Sequence, residues 1–132
     1  MTPDSVHLLT RSSQMTLFRD ERGRVRRAYY GPRLREPGDA LENAADAPLL
    51  YSSLADSVAG LPNASDEYCI GVAQADGTLS LRLECLGWEV LELDDDREEA
   101  VFYGKDPSYP VRVEIHVRSH RESDAFLQWA VI

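Results

Sequence analysis

A chain of 132 residues with 43% apolar and 28% charged side chains has the size and composition of one globular domain with a real hydrophobic core, not of a disordered or fibrous segment. A net charge of −9 argues against a dedicated nucleic-acid binder, because phosphate recognition wants a net positive surface. Apolar runs such as 28–30 and 49–51, and all others, stop at four residues or fewer, far short of the roughly 20 that a membrane span needs, so neither nucleic acid nor membrane is expected as a partner.

From the N-terminus, Met1-Thr2-Pro3-Asp4 shows no basic stretch leading into an apolar one, so no secretory signal is expected and the protein reads as cytoplasmic. Residues 14–20 read as a strand, 21–23 as a tight turn with Gly23 at the position that needs positive φ, and 24–30 as the return strand. Gly31-Pro32 is expected to end that strand, since proline cannot donate to a ladder. This region is arginine-rich: residues 1–35 carry a net +5 and the remaining 97 a net −14. Its arginines are expected on an outward strand face, meeting the acidic remainder or a neighbouring domain. A long connection, 31–62, follows, with helical leanings only over 39–46.

A second hairpin is expected where 68–74 and 78–86 flank Ala75-Asp76-Gly77, since Asp-Gly between alternating apolar runs is a strong hairpin signal. Leu79, Leu81, Leu83 and Cys85 should face the core, with Ser80, Arg82 and Glu84 facing solvent. Residues 88–93 continue as strand, although alternation leaves the side of Trp88 open. The acidic run 94–99 is expected to be a solvated turn, because its spacing matches no calcium loop. Residues 101–104 form a short strand and 106–110 a turn. Val111, Val113, Ile115 and Val117 then alternate with Arg112, Glu114, His116 and Arg118, which predicts a half-buried strand. After a turn over 119–124, residues 125–132 form the last strand. About nine or ten short strands at this spacing predict an all-β, antiparallel β-sandwich with at most one short helix, in a single domain spanning 1–132.

The last strand is apolar on both alternating faces, as in strands buried on both sides. An uncovered strand of this kind would template edge pairing. The chain is therefore expected to be part of a larger protein, or to have a partner over that strand.

The residues that carry chemistry are sparse. Two cysteines, Cys69 and Cys85, are too few for a disulfide scaffold or a four-thiolate zinc site; they could pair, but reduced core thiols suit a cytoplasmic protein better. His7, His116 and His120 are the only histidines. His116 and His120 would face together on a helix, but they lie on a strand and turn, so surface histidines are expected and no metal site. No Gly-x-Ser-x-Gly elbow and no glycine-rich phosphate loop occurs. No cofactor is implied. Tyr29, Tyr30, Tyr68, Trp88, Tyr103, Tyr109 and Trp129 would make a sugar-stacking surface if several shared one exposed face, but cross-strand core packing is the simpler role.

The order of these features resembles a known family. His7-Leu8-Leu9-Thr10, then Met15 to Phe18, Gly23 and Tyr29-Tyr30-Gly31-Pro32-Arg33-Leu34, are similar to the opening of the N-terminal domain of family 36 glycoside hydrolases, the bacterial α-galactosidases. The Ala75-Asp76-Gly77 hairpin, Gly87-Trp88-Glu89-Val90 and the paired strands over 111–132 fall where that domain has its own. Tyr29-Tyr30-Gly31 is the specific motif; the rest is order and spacing.

The resemblance implies a β-sandwich of the galactose-mutarotase-like supersandwich type. It packs on a (β/α)-barrel that carries both catalytic aspartates of a retaining mechanism on terminal α-galactosides. No catalytic residue carries over to these 132 residues. The family's Gly-Asp-Phe-Arg motif, which reaches toward a sugar pocket at a subunit contact, corresponds to Ser65-Asp66-Glu67-Tyr68. Only Asp66 fits it, as a substrate-binding residue. The implied partners are the catalytic barrel of the parent chain, the galactoside through it, and further copies in a homo-oligomer. The alternative from another class is a free-standing β-sandwich that binds carbohydrate or protein without catalysis.

Overall fold

In the computed structural model, residues 5–42, 44–51, 70–78 and 81–132 are described. Two antiparallel sheets face each other. The first contains β1 (Ser5–Leu9), β2 (Ser13–Arg19) and β3 (Val25–Pro32), in the order β1-β2-β3. The second contains β4 (Glu84–Glu92), β5 (Arg97–Lys105), β6 (Arg112–His120) and β7 (Ala125–Val131), in the order β4-β5-β6-β7. The all-β sandwich expected from alternation is the fold found. Seven strands form among the described residues. Among the described residues, helical structure is confined to 3₁₀ turns at Pro37–Leu41 and Ala44–Asp46, which overlap the 39–46 stretch where helical leaning is expected and begin two residues before it.

The core is the strip where the two inner faces meet. Pairing Leu8 with Met15 and Val6 with Leu17 places all four on the inner side of the first sheet. Ala100, Phe102, Val113, Ile115 and Val117 answer from the second, and Leu50, Tyr51, Ile70, Leu81 and Leu83 close the strip. The predicted register of β6 holds. Val113, Ile115 and Val117 are buried, Arg112 is exposed, and Glu114 is half-buried on the far side. Arg82 and Glu84 are likewise exposed between buried Leu81, Leu83 and Cys85. Leu79 and Ser80 lie outside the described residues.

Several local expectations are corrected. The Asp76-Gly77 turn forms, with Gly77 at φ +88° and Gln74 N–H donating to Thr78 O at 2.8 Å. Residues 70–74 are nevertheless not strand, and the ladder begins only at Glu84. Side chains anchor this turn instead: Tyr109 donates its hydroxyl to the Asp76 carboxylate at 2.9 Å. The β4–β5 register slips between Cys85 and Gly87, leaving Leu86 as an extra residue that is 63% exposed. That bulge changes the parity of alternation. Trp88 therefore pairs with Phe102 and packs toward the core, its ring 5.7 Å from that of Phe102. The acidic run is a turn only over 94–96; Arg97, Glu98 and Glu99 belong to β5, and Glu99 is buried. β3 extends through Gly31 to Pro32, which is tolerated at the last position of the strand.

The arginine-rich stretch is not a uniformly outward face. Arg24 and Arg26 are buried. The Arg24 guanidinium donates to Leu83 O across the sandwich. Arg26 donates through Nε to Asp20 Oδ2 at 2.6 Å and through Nη1 to Ala47 O at 2.8 Å. Asp20 also accepts the backbone N–H of Arg22 and of Arg24, each at 2.9 Å. These partners include a carboxylate of the same hairpin, because the turn folds Asp20 back over Arg26, and the Arg24 charge also acts on Asp106 of the acidic remainder.

Stitches at both ends join the sheets. At one end, Cys85 N–H donates to Gly23 O at 3.0 Å. At the other, the Asp124 carboxylate accepts the Thr10 hydroxyl at 2.7 Å, Ser12 N–H at 2.8 Å and the Ser12 hydroxyl at 2.7 Å. Asp124 holds this position at φ +53°, a left-handed conformation that aspartate tolerates better than most residues.

Asp106, buried in the turn before β6, accepts N–H groups from Arg82, Ser108 and Tyr109 at 2.9, 2.8 and 3.1 Å. Burial alone would raise its pKa, but these donors and the Arg24 charge outweigh it and hold the carboxyl below the usual range. A carboxyl depressed in the folded state stabilises fully above its unfolded value, about pH 4, and loses that contribution as the pH falls through its folded value. Asp106→Asn is therefore expected to flatten the acid limb of a plot of Tm against pH, below about pH 4. An unchanged acid limb would show that the three N–H bonds do not hold the ionised form.

Candidate functional site

The outer face of the four-stranded sheet carries the densest arrangement of chemically active side chains. Cross-strand pairing puts Val101, His116 and Trp129 in one row and Glu99, Arg118 and Leu127 in the next, all turned away from the core. The rows interlock. His116 Nδ1 lies 3.2 Å from Glu99 Oε2 and its Nε2 3.0 Å from Glu114 Oε2. Arg118 donates through Nε to Glu99 Oε1 at 2.9 Å, with its Nη2 at the same distance. The Trp129 indole lies parallel to the His116 ring, 4.8 Å between centroids with planes 9° apart, and the Arg118 guanidinium carbon is 5.0 Å from the Trp129 centroid.

This network explains why Glu99 is only 6% exposed on an outward face: both its oxygens are engaged, so its charge is compensated where water is excluded. His116 is accordingly not the open surface histidine expected from sequence. His116 and His120 share a strand face but lie four residues apart, about 13 Å along the strand, too far for one ligand. Among the described residues, no group of three or more His, Cys, Asp or Glu is placed to hold a metal ion.

The two carboxyl groups of this network are not placed as a catalytic pair. Glycoside hydrolysis needs two carboxyl groups facing each other across a substrate. Glu99 and Glu114 instead converge on one imidazole. Beside them, Leu127 and Val131 of the edge strand β7 are 51% and 48% exposed, so the outward side of that strand is open in this chain, where its apolar pattern is that of a strand covered on both sides.

The aromatic candidates disperse. Trp88 turns coreward; Tyr30 packs edge-on against Phe126 at 5.5 Å; Tyr29 donates its hydroxyl to Pro32 O at 2.6 Å. Tyr103 reaches Glu89 with its hydroxyl at 3.3 Å. Asp66, the substrate-binding candidate, lies outside the described residues, as do Tyr68 and Cys69. Cys85 is buried, with its Sγ 3.5 Å from Gly87 O. The Glu99 cluster itself was missed by sequence reading, because an acidic run reads as a turn until β5 is known to start at Arg97.

The fold is one found in solved α-galactosidases, including enzymes of glycoside hydrolase family 36. The α-galactosidase from Lactobacillus brevis superposes with a TM-score of 0.75 at 18% identity, over 96% of this chain and 21% of that one. The family 36 α-galactosidase AgaA from Geobacillus stearothermophilus gives 0.75 at 11% identity, with the same coverage. A variant of that enzyme in complex with 1-deoxygalactonojirimycin gives 0.73 at 12%. The chain thus spans about a fifth of the length of the enzymes it resembles, and at these identities the likeness is one of fold. No protein-family model and no curated protein matches it. Among the described residues, no helix is long and apolar enough to cross a membrane.

Proposed function

We propose that the chain is the non-catalytic N-terminal β-sandwich of a cytoplasmic α-galactosidase that hydrolyses terminal α-galactosides with retention. Its partners are the catalytic barrel of the parent chain and further copies of the enzyme, and it reaches the galactoside through them. The observation that carries this reading is the superposition of 96% of the chain on a fifth of an α-galactosidase, joined to the Tyr29-Tyr30-Gly31 motif. The outer face of the four-stranded sheet supports it. An anchored indole beside exposed Leu127 and Val131 suits a surface that packs on another domain. Asp66 is the residue assigned to the sugar pocket.

Two measurements test the reading. Sequencing the gene beyond the codon for Ile132 should find an open frame of several hundred residues encoding the barrel; a stop codon there overturns the assignment and leaves a free-standing binding module. The purified 132-residue chain is expected to hydrolyse an aryl α-galactoside no faster than buffer. Turnover that disappears when one of its own carboxylates is replaced would place catalysis inside the sandwich.

A further inference from the structure

At the end of the sandwich opposite Gly23, three turns enclose a cleft of about 570 Å³, within the size range of small-molecule sites. One wall is the β1–β2 turn with Thr10 and Arg11, another is the β4–β5 turn with Asp95 and Asp96, and the third is the β6–β7 turn with Arg121 and Glu122. Backbone bonds tie the walls together. Arg11 N–H donates to Arg121 O at 3.1 Å and Arg121 N–H to Asp96 O at 2.9 Å; Asp96 Oδ1 accepts Glu122 N–H at 2.9 Å. The Asp124 carboxylate fixes the first wall through Thr10 and Ser12. The cleft is therefore preformed, and a ligand would not have to order its loops.

The lining selects the ligand. Arg11, Arg33 and Arg121 line it together with Asp95, Asp96, Glu98 and Glu122, so the two signs of charge nearly balance. Arg121 donates through Nη1 to Asp95 O at 2.8 Å and its Nη2 lies 3.7 Å from Glu98 Oε2, while Arg33 donates to Thr10 O at 3.2 Å. A phosphorylated ligand would meet carboxylates as well as arginines. A bare cation would find no cluster of ligands, since none is placed to hold a metal among the described residues. An apolar ligand would leave charged groups desolvated. Burial pushes the Glu98 carboxyl up, with the Arg121 charge opposing it, and burial pushes the His7 imidazole down. A neutral polyhydroxylated molecule satisfies this lining: neighbouring hydroxyls donate to a carboxylate and accept from a guanidinium.

We propose that this cleft is a binding site for a neutral mono- or disaccharide, separate from any pocket that Asp66 serves. The site does not depend on the parent being an α-galactosidase, so a stop codon after Ile132 would leave it standing.

The test is a ¹H–¹⁵N NMR titration of the 132-residue chain with galactose, melibiose and glucose in turn, and with inorganic phosphate as the charged comparator. The expected result is saturable shifts at the amides of Arg11, Asp96 and Glu122 with at least one sugar, in the millimolar range. Arg11→Ala, at an exposed side chain, should weaken that binding about fivefold or more while keeping the wild-type Tm. Saturation by phosphate alone overturns the proposal, as does the absence of saturable shifts with any of the sugars. Equal affinity in Arg11→Ala, or shifts confined to residues away from the cleft, overturns it too.

Discussion

Replacing Phe102 with alanine is expected to cost about 3–5 kcal/mol, the largest loss from a single core truncation among the described residues. Phe102 is 2% exposed at the centre of β5, and its neighbours come from both sheets. Trp88 lies against it from β4, and Ile115 is its partner on β6. None of them can close the gap without leaving its own ladder position, so the cavity would persist. Domains of this size hold about 5–15 kcal/mol in total, so the variant should unfold at a much lower urea concentration with an unchanged m-value. A loss below about 1 kcal/mol would mean that the two sheets are not packed together at β5.

Asp20→Ala is expected to cost about 3 kcal/mol. Asp20 and Arg26 have side chains 16% and 8% exposed, and removing the carboxylate leaves a guanidinium charge largely out of water. It also strands the N–H groups of Arg22 and Arg24 in the hairpin turn. Combining Asp20→Ala with Arg26→Met should recover part of the loss, because the second change removes a buried charge whose hairpin carboxylate is gone. Urea denaturation of the two single variants and the double variant measures the coupling directly. Strictly additive losses would show that the pair contributes nothing beyond its separate contacts.

Strand β6 was legible because it alternates over eight residues, as a half-buried antiparallel strand requires; β2 and β3 were legible from the Gly23 turn between them, and β7 from its apolar run after a polar turn. The full length of β5 was not, since Arg97-Glu98-Glu99 looks like solvated turn. Its strand character comes from His116 and Arg118 on the neighbouring strand, information that no local pattern holds. Trp88 was undecidable for a related reason: one extra residue at Leu86 reverses the phase, and nothing in the composition around Gly87 announces it. The buried arginines were misplaced because charge was read as exposure. Arg24 and Arg26 are inside because carbonyls and Asp20 meet their donors at matched positions. The end cleft escaped sequence reading entirely, as its walls come from three separate turns whose residues are each ordinary surface types.

The strand order carries a consequence for how the chain reaches this fold. Both sheets are meanders, in which every ladder joins strands that are sequence neighbours. Each hairpin closes a short loop, so the loop-closure entropy at every step is small and the sheets can assemble by local zipping. Contacts between sheets are different. The Asp124 clamp on Thr10 and Ser12 closes more than a hundred residues of chain, and Arg24 reaches Leu83 over nearly sixty. Such contacts are favourable only after both meanders exist, so they belong to the late, docking stage of folding. Weakening the clamp should then accelerate unfolding far more than it slows folding. The lifetime of the native state is set at the seam between two locally formed halves.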